Sequence, residues 1–301
     1  MSTTSTPSMS SSSDPIKPSR NNKQVITVTH KGRTCLLVGT MHYNPHSIAI
    51  ARDTVRNLRE TQALGSVVLE TCDKRWEKTQ SFQPPGSFMR NLLDNEFQAA
   101  AEEAGSSAII LGDQPIADLG TSMKTLAKQT LIDLGTPWDG GWKRYADDVR
   151  DAVQREVNAA KGGVESPTDV FDANLLLNVP VSLFRYPLAW LLKSPKLMVP
   201  LATFWLTIAA LPGAVESIPD LSTQSQAESL VTDLFLVLDF LQLTLLSRIF
   251  LVALLRDRND ILAASVSAAC DEAKEGECVV AILGAAHLNG VHRRLLEDVV
   301  T

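Results

Sequence analysis

Several features that would place a chain quickly are missing here. The four cysteines, Cys35, Cys72, Cys270 and Cys278, have no CxxC spacing, which argues against a zinc ribbon or a disulfide framework. Reduced, structural thiols are expected, with Cys35 and Cys278 in apolar strand-like runs. No basic cluster stands out and the formal net charge is -6, so no nucleic-acid partner is expected. Neither GxxxxGK[ST] nor GxGxxG occurs, which argues against the usual phosphate-cradling loops. The first residues lack the apolar core of a secretory signal, and an intracellular location is expected.

What is present is ordinary for a globular chain: 301 residues, 45% hydrophobic and 21% charged, enough for one domain with insertions or two small ones. Residues 1–22 are dominated by Ser, Thr and Pro and hold too few apolar side chains to offset the entropy of ordering, so a disordered tail is predicted. The tail has the hydroxyl-rich, acid-poor look of some organelle transit peptides, although only Lys17 and Arg20 are basic.

Order begins with the alternating β-branched run Val25 to Thr29, a two-residue turn at Lys31-Gly32, and a second strand, Thr34 to Val38. Gly39-Thr40-Met41-His42 follows, then Asn44-Pro45, an N-cap with proline at the first helical position. Ile48, Ala51, Val55 and Leu58 fall on one helical face. That opening places His46 in the first helical turn, where solvent exposure is expected. Ser66 to Glu70 is a short apolar run ending in a carboxylate, as suits a buried parallel strand. A helix over about 87–104, a strand at Ala108 to Leu111 and a last strand at Cys278 to Leu283 complete an α/β pattern. It predicts a central, mostly parallel sheet with flanking helices over residues 23–301.

An apolar helical insert, about 175–255, interrupts that pattern. Leu197 to Val215 contains no charged residue and is near the length that crosses a bilayer. The stretch from Leu230 to Leu255 carries Asp233, Asp239 and Arg248, which weakens it as a lipid-facing span. Two readings stand: buried helices capping the α/β core, or a membrane contact through about 197–215 and 230–255. Trp190 and Trp205 suit core positions or interfacial anchors. Motif residues lie on both sides of the insert, so a shared site requires zero or two crossings.

Parallel sheets place ligands beyond the carboxyl ends of their strands, and His42, Glu70 and His287 all stand there. Two imidazoles and a carboxylate form a familiar ligand set for a divalent metal with an open coordination position. Each glycine three residues before its histidine, Gly39 and Gly284, is expected to let backbone approach a ligand.

The ordered set Gly39-Thr40-Met41-His42, Glu70, Leu111-Gly112-Asp113-Gln114-Pro115-Ile116, Arg256-Asp257-Arg258-Asn259 and Gly284-Ala285-Ala286-His287 resembles the TraB-domain family. That superfamily includes pheromone-shutdown proteins and Tiki proteases. The match spans roughly residues 34–296 outside the insert. The resemblance implies a metal-dependent, metallopeptidase-like hydrolase acting on a peptide or small molecule. In it, His42 and His287 bind a manganese-like or cobalt-like ion, and Glu70 is a third ligand or the general base. Arg258 and Asn259 match the family's Glu-Arg-Asn helix start, with Asp257 in place of glutamate. Arg258 is expected to hold a substrate carboxylate or orient Glu70, or else the pair is an ordinary polar helix start. Gln114 stands where many relatives have arginine, removing a permanent charge that would bind Asp113 or an anionic substrate. Some members act by sequestration or contact, so the alternative is a non-catalytic membrane-associated binding or tethering protein, at an organelle outer membrane for example.

Overall fold

The computed structural model describes residues 23–196, Thr203, Leu206 and 221–298. The predicted disordered tail, Trp205 and almost all of the first apolar stretch lie outside the described residues.

The expected hairpin forms. Strand β1 (Val25–His30) pairs antiparallel with β2 (Arg33–Thr40), and both turn residues, Lys31 and Gly32, take positive φ, as this tight turn requires. Helix α1 (Pro45–Glu60) starts at Asn44, whose side chain accepts from His46 N and Ser47 N. It buries Ile48, Ala51 and Val55. Strand β3 (Leu64–Leu69) follows.

The single helix expected over about 87–104 is instead two, preceded by a third that the sequence reading missed: α2 (Asp73–Phe82), α3 (Phe88–Leu92) and α4 (Glu96–Ala104). Ser87 and Asn95 each cap their own helix by accepting a backbone N–H. The second cap restarts the chain where the periodicity reads as continuous. Strand β4 (Ala108–Leu111), α5 (Ile116–Gly135), α6 (Gly141–Ala152), a π-helical turn (Val153–Val157), α7 (Ala173–Leu177) and α8 (Val179–Lys193) come next. Beyond the undescribed segment lie α9 (Leu221–Arg248), a second π-helical stretch (Ile249–Arg256) and α10 (Asp257–Glu272). Strand β5 (Cys278–Gly284) and α11 (Leu288–Glu297) close the described chain.

The sheet order is β1-β2-β5-β3-β4, parallel except for β1. Central β5 is buried on both faces. Val279, Ala281 and Leu283 pack toward α10 and α11, while Val280 and Ile282 pack toward α1 and α4. Because β5 lies between β2 and β3, the three strands that end at His287, His42 and Glu70 are neighbours. Sheet topology alone therefore brings residues 245 positions apart to one edge.

One local expectation is corrected, and another is met in an unexpected setting. Gly39 makes room for a core side chain, since a Cβ there would stand 2.3 Å from Leu288 Cδ1, so packing rather than ligand approach excludes a larger residue. Arg258 and Asn259 lie in the first turn of α10, as expected, but no side chain caps its start. They follow a π-helical stretch within helical chain that runs from Glu228 to Glu272, and the run of uninterrupted backbone hides a polar pair that resembles a cap.

Candidate functional site

Beyond β2 the chain turns sharply. Tyr43 holds φ +60, a left-handed conformation unusual for a bulky residue and found where surrounding contacts over-determine the backbone. Glu96, 1% exposed at the start of α4, supplies those contacts. Its Oε2 accepts from Tyr43 N at 3.2 Å and its Oε1 lies 2.5 Å from His42 Nδ1. The imidazole is therefore clamped by one nitrogen while Nε2 remains free on a half-buried ring. Tyr186 of α8 stacks against that ring at 6.1 Å and Phe97 of α4 tilts against it at 5.7 Å.

Glu70 is buried one residue past β3. Its Oε2 accepts from Gly284 N at 2.5 Å, and its Oε1 faces Arg258 Nη2 at 2.5 Å and His287 Nε2 at 3.1 Å. Burial alone would push this carboxyl up. The positive charge of His287, Arg258 and His42 overrides it and holds the group well below the usual carboxylate range. For His42 the balance runs the other way. Burial disfavours its charge, but the Glu96 carboxylate outweighs burial and raises it to about 9.

The three side chains expected to share a site do so. A methyl group built on Gly284 would lie 3.3 Å from Glu70 Oε2, 3.5 Å from His42 Nε2 and 3.6 Å from His287 Cδ2. Arg258 also bridges from Glu70 to Asp113, donating Nε to both Asp113 oxygens at 3.1 Å. Asn259 stands behind His287, with Oδ1 2.6 Å from Nδ1. Asp113 is paired a second time, by Arg75 of α2. Asp113, beside the uncharged Gln114, thus takes a second arginine from a helix the sequence did not reveal. His46, expected at the surface, is half-buried, with Nε2 3.5 Å from Asp172.

Above the cluster, Lys193 at the end of α8 reaches Tyr43 Oη at 3.4 Å and Thr79 Oγ1 at 3.3 Å. Burial, assisted by Lys78, lowers its amine to about 8.

A divalent ion is a matter of donor availability. Both histidines hold Nδ1 against an acceptor, which is how imidazoles that coordinate through Nε2 are oriented. Glu70, however, has both oxygens engaged by Gly284 N, Arg258 and His287. Among the described residues, no group of three or more His, Cys, Asp or Glu side chains is disposed to hold an ion. The residues as arranged do not fit a three-donor metal site, and the cation that faces Glu70 is the Arg258 guanidinium.

No family model, curated protein or solved structure matches the chain. Its function therefore has to be argued from the site.

Sequence reasoning missed Glu96 and Arg75, and with them Glu156, which contacts Asn259. Glu96 had one available signal, the Asn95-Glu96 pair, an N-cap followed by a first-turn acid, but it reads equally as ordinary helix capping.

Proposed function

We propose that the chain is a TraB-like hydrolase that cleaves an ester or amide bond of a peptide or small molecule at the carboxyl edge of β2, β5 and β3. The observation that carries this reading is the convergence of His42 Nε2, Glu70 Oε2 and the His287 ring on one point above Gly284. A carboxylate, a free imidazole nitrogen and a buried guanidinium gathered at strand ends is the composition of an acid–base site.

His42 is the proton carrier. Raised to about 9, it is loaded at neutral pH and presents Nε2–H to the carbonyl oxygen and then to the leaving group. It regains a proton from the attacking water, so the cycle closes with no net change on the enzyme. Glu70, kept anionic by Arg258 and His287, accepts a hydrogen bond from that water and orients it. Glu96 fixes the His42 ring by Nδ1.

The test is hydrolysis of p-nitrophenyl esters and of a mixed peptide library by the full chain, with metal content measured on the same preparation. His42→Ala is expected to lose about 10²–10⁴-fold in rate. Gly284→Ala, which places a methyl 3.3 Å from Glu70 Oε2, a tight contact, and at ordinary distances from His42 and His287, is expected to lose turnover while costing about 1 kcal/mol or less of stability. Wild-type rates in a His42→Ala, His287→Ala double variant would remove the reading. Stoichiometric metal in wild type that disappears in that variant would restore an ion-centred version of it, with Arg258 displaced from Glu70.

A second reading, a membrane-associated binding or tethering protein, is favoured by one observation. The helix Glu228–Glu272 is long and apolar enough to cross a membrane, and only 17% of its most apolar stretch is buried. Leu230, Leu236, Val237, Phe240, Leu243 and Leu246 are exposed along it, which is not how a helix capping a soluble core behaves. The two readings are compatible, since Arg258 follows Phe250 by only about 12 Å of helix at 1.5 Å per residue. Retention of the protein in membranes after carbonate wash supports association, and full release argues against an integral anchor.

A further inference from the structure

Behind His287, on the Nδ1 side of its ring, runs a chain of buried polar groups. His287 Nδ1 lies 2.6 Å from Asn259 Oδ1, and Asn259 Nδ2 donates to Glu156 Oε2 at 2.6 Å. Arg294 of α11 closes the chain by donating Nη1 and Nη2 to the two Glu156 oxygens, each at 2.9 Å. Its Nε reaches Asp260 at 2.5 Å. Asn259 and the Glu156 side chain are fully buried. Glu156 sits in the π-helical turn that follows α6, a local widening often associated with functional sites. The packing leaves no slack, because a Cβ on Gly290 would stand 2.0 Å from Asn259 Nδ2 and 2.3 Å from Glu156 Oε2.

The chemistry of this chain has a direction. An ionised carboxylate only accepts hydrogen bonds, so Glu156 must face the amide NH₂ of Asn259. A flipped amide would set a carbonyl oxygen against a carboxylate inside the protein. With its NH₂ committed, Asn259 can offer only an oxygen to His287, so Nδ1 must carry a proton. Arg294 makes this durable by pairing both Glu156 oxygens, which holds the carboxylate in place.

We infer that Glu156 is a positioning residue: acting through Asn259, it holds a proton on His287 Nδ1, and so the ring's orientation, while Nε2 donates to Glu70. The consequence for turnover rests on the hydrolase reading, whereas the proton position does not.

The decisive measurement is NMR on the full chain with ¹⁵N-labelled histidine, with the His287 signals assigned by their loss in His287→Gln. Wild type is expected to show a proton bound to Nδ1 in slow exchange with water. The paired variant Glu156→Met with Arg294→Met removes both charges together, so no unpaired ion is left buried. Asn259 is then free to turn, and the Nδ1 proton signal is expected to disappear. Esterase activity is expected to fall about 10–100-fold, the usual effect of removing a group that orients a functional histidine.

An unprotonated Nδ1 in wild type overturns the inference, even if the variant fails to fold. So does an unchanged Nδ1 proton signal in a folded variant. A protonated Nδ1 in a protein that hydrolyses nothing would sink the hydrolase reading and leave the positioning intact.

Discussion

The strand-end cluster and the exposed length of the long helix follow opposite rules. In the cluster, Glu70, Glu96, Asp113 and Glu156 are all buried, and each is matched by an arginine or a histidine within hydrogen-bond reach. Along the helix, leucines, a valine and a phenylalanine face outward beside Asp233 and Asp239. Its buried ionic residue, Arg248, is pinned between Asp133 and Asp148. Desolvating charge is costly unless each ion finds a partner, and the cluster meets that condition from its own residues. The helix does not meet the corresponding condition for apolar surface. One region thus matches its charges from within the chain, and the other leaves apolar side chains exposed.

The sharpest way to break this contrast is Arg258→Ala. Its guanidinium is shared by Glu70 and Asp113, both buried, and removing one partner of a buried ion pair costs about 3–5 kcal/mol. A large drop in urea midpoint is expected. Asp113 keeps Arg75, so the loss should fall mainly on Glu70, and adding Glu70→Gln to Arg258→Ala should recover part of it. A midpoint within experimental error of wild type would mean that water reaches the cluster and that it is not electrostatically closed.

Why half of this cluster was legible in sequence and half was not follows from where each residue sits. His42, Glu70 and His287 end strands, and strand ends are readable: β-branched and apolar runs stop, a glycine-containing turn follows, and one polar residue stands at the edge. Their convergence then depends only on β2, β5 and β3 being neighbours, which the parallel α/β pattern made a fair expectation. Arg75, Glu96 and Glu156 sit in helices, where an acid or arginine is ordinary surface composition and only tertiary packing makes it buried. The break between α3 and α4 belongs to the same class, because the residues flanking Asn95 keep helical periodicity and only the cap hydrogen bond to Gln98 N reveals a new start. The insert was legible as apolar. Whether it is covered was not, since composition fixes hydrophobicity without fixing neighbours.

A smaller effect separates the regions by pH. His42 is raised from 6.5 to about 9 in the folded protein, against burial, by Glu96. A raised folded value means that protonated His42 contributes stability that is fully present below about 6.5 and is lost as pH climbs to about 9. Glu96→Gln should flatten stability across that window while leaving the exposed helix unaffected. If His42 is the proton carrier proposed above, wild-type esterase activity should decline as pH rises through about 9, and Glu96→Gln should move the decline to lower pH. Matching pH profiles in wild type and variant would detach Glu96 from His42 in solution.

The smallest expected change in solution is at the exposed leucines, and it sharpens the comparison for that reason. Leu236 and Leu243 are 64% and 72% exposed, so replacing both with serine removes little packing and should change the unfolding free energy in urea by less than about 0.5 kcal/mol. If apolar surroundings complete this helix, the same pair should weaken retention in carbonate-washed membranes, because each leucine transferred from lipid to water costs roughly 1.5–3 kcal/mol. Stability unchanged with membrane retention reduced is the expected pattern. A substantial loss of solution stability would instead mean that these side chains are covered by this chain itself, and the helix would join the cluster as a region closed from within.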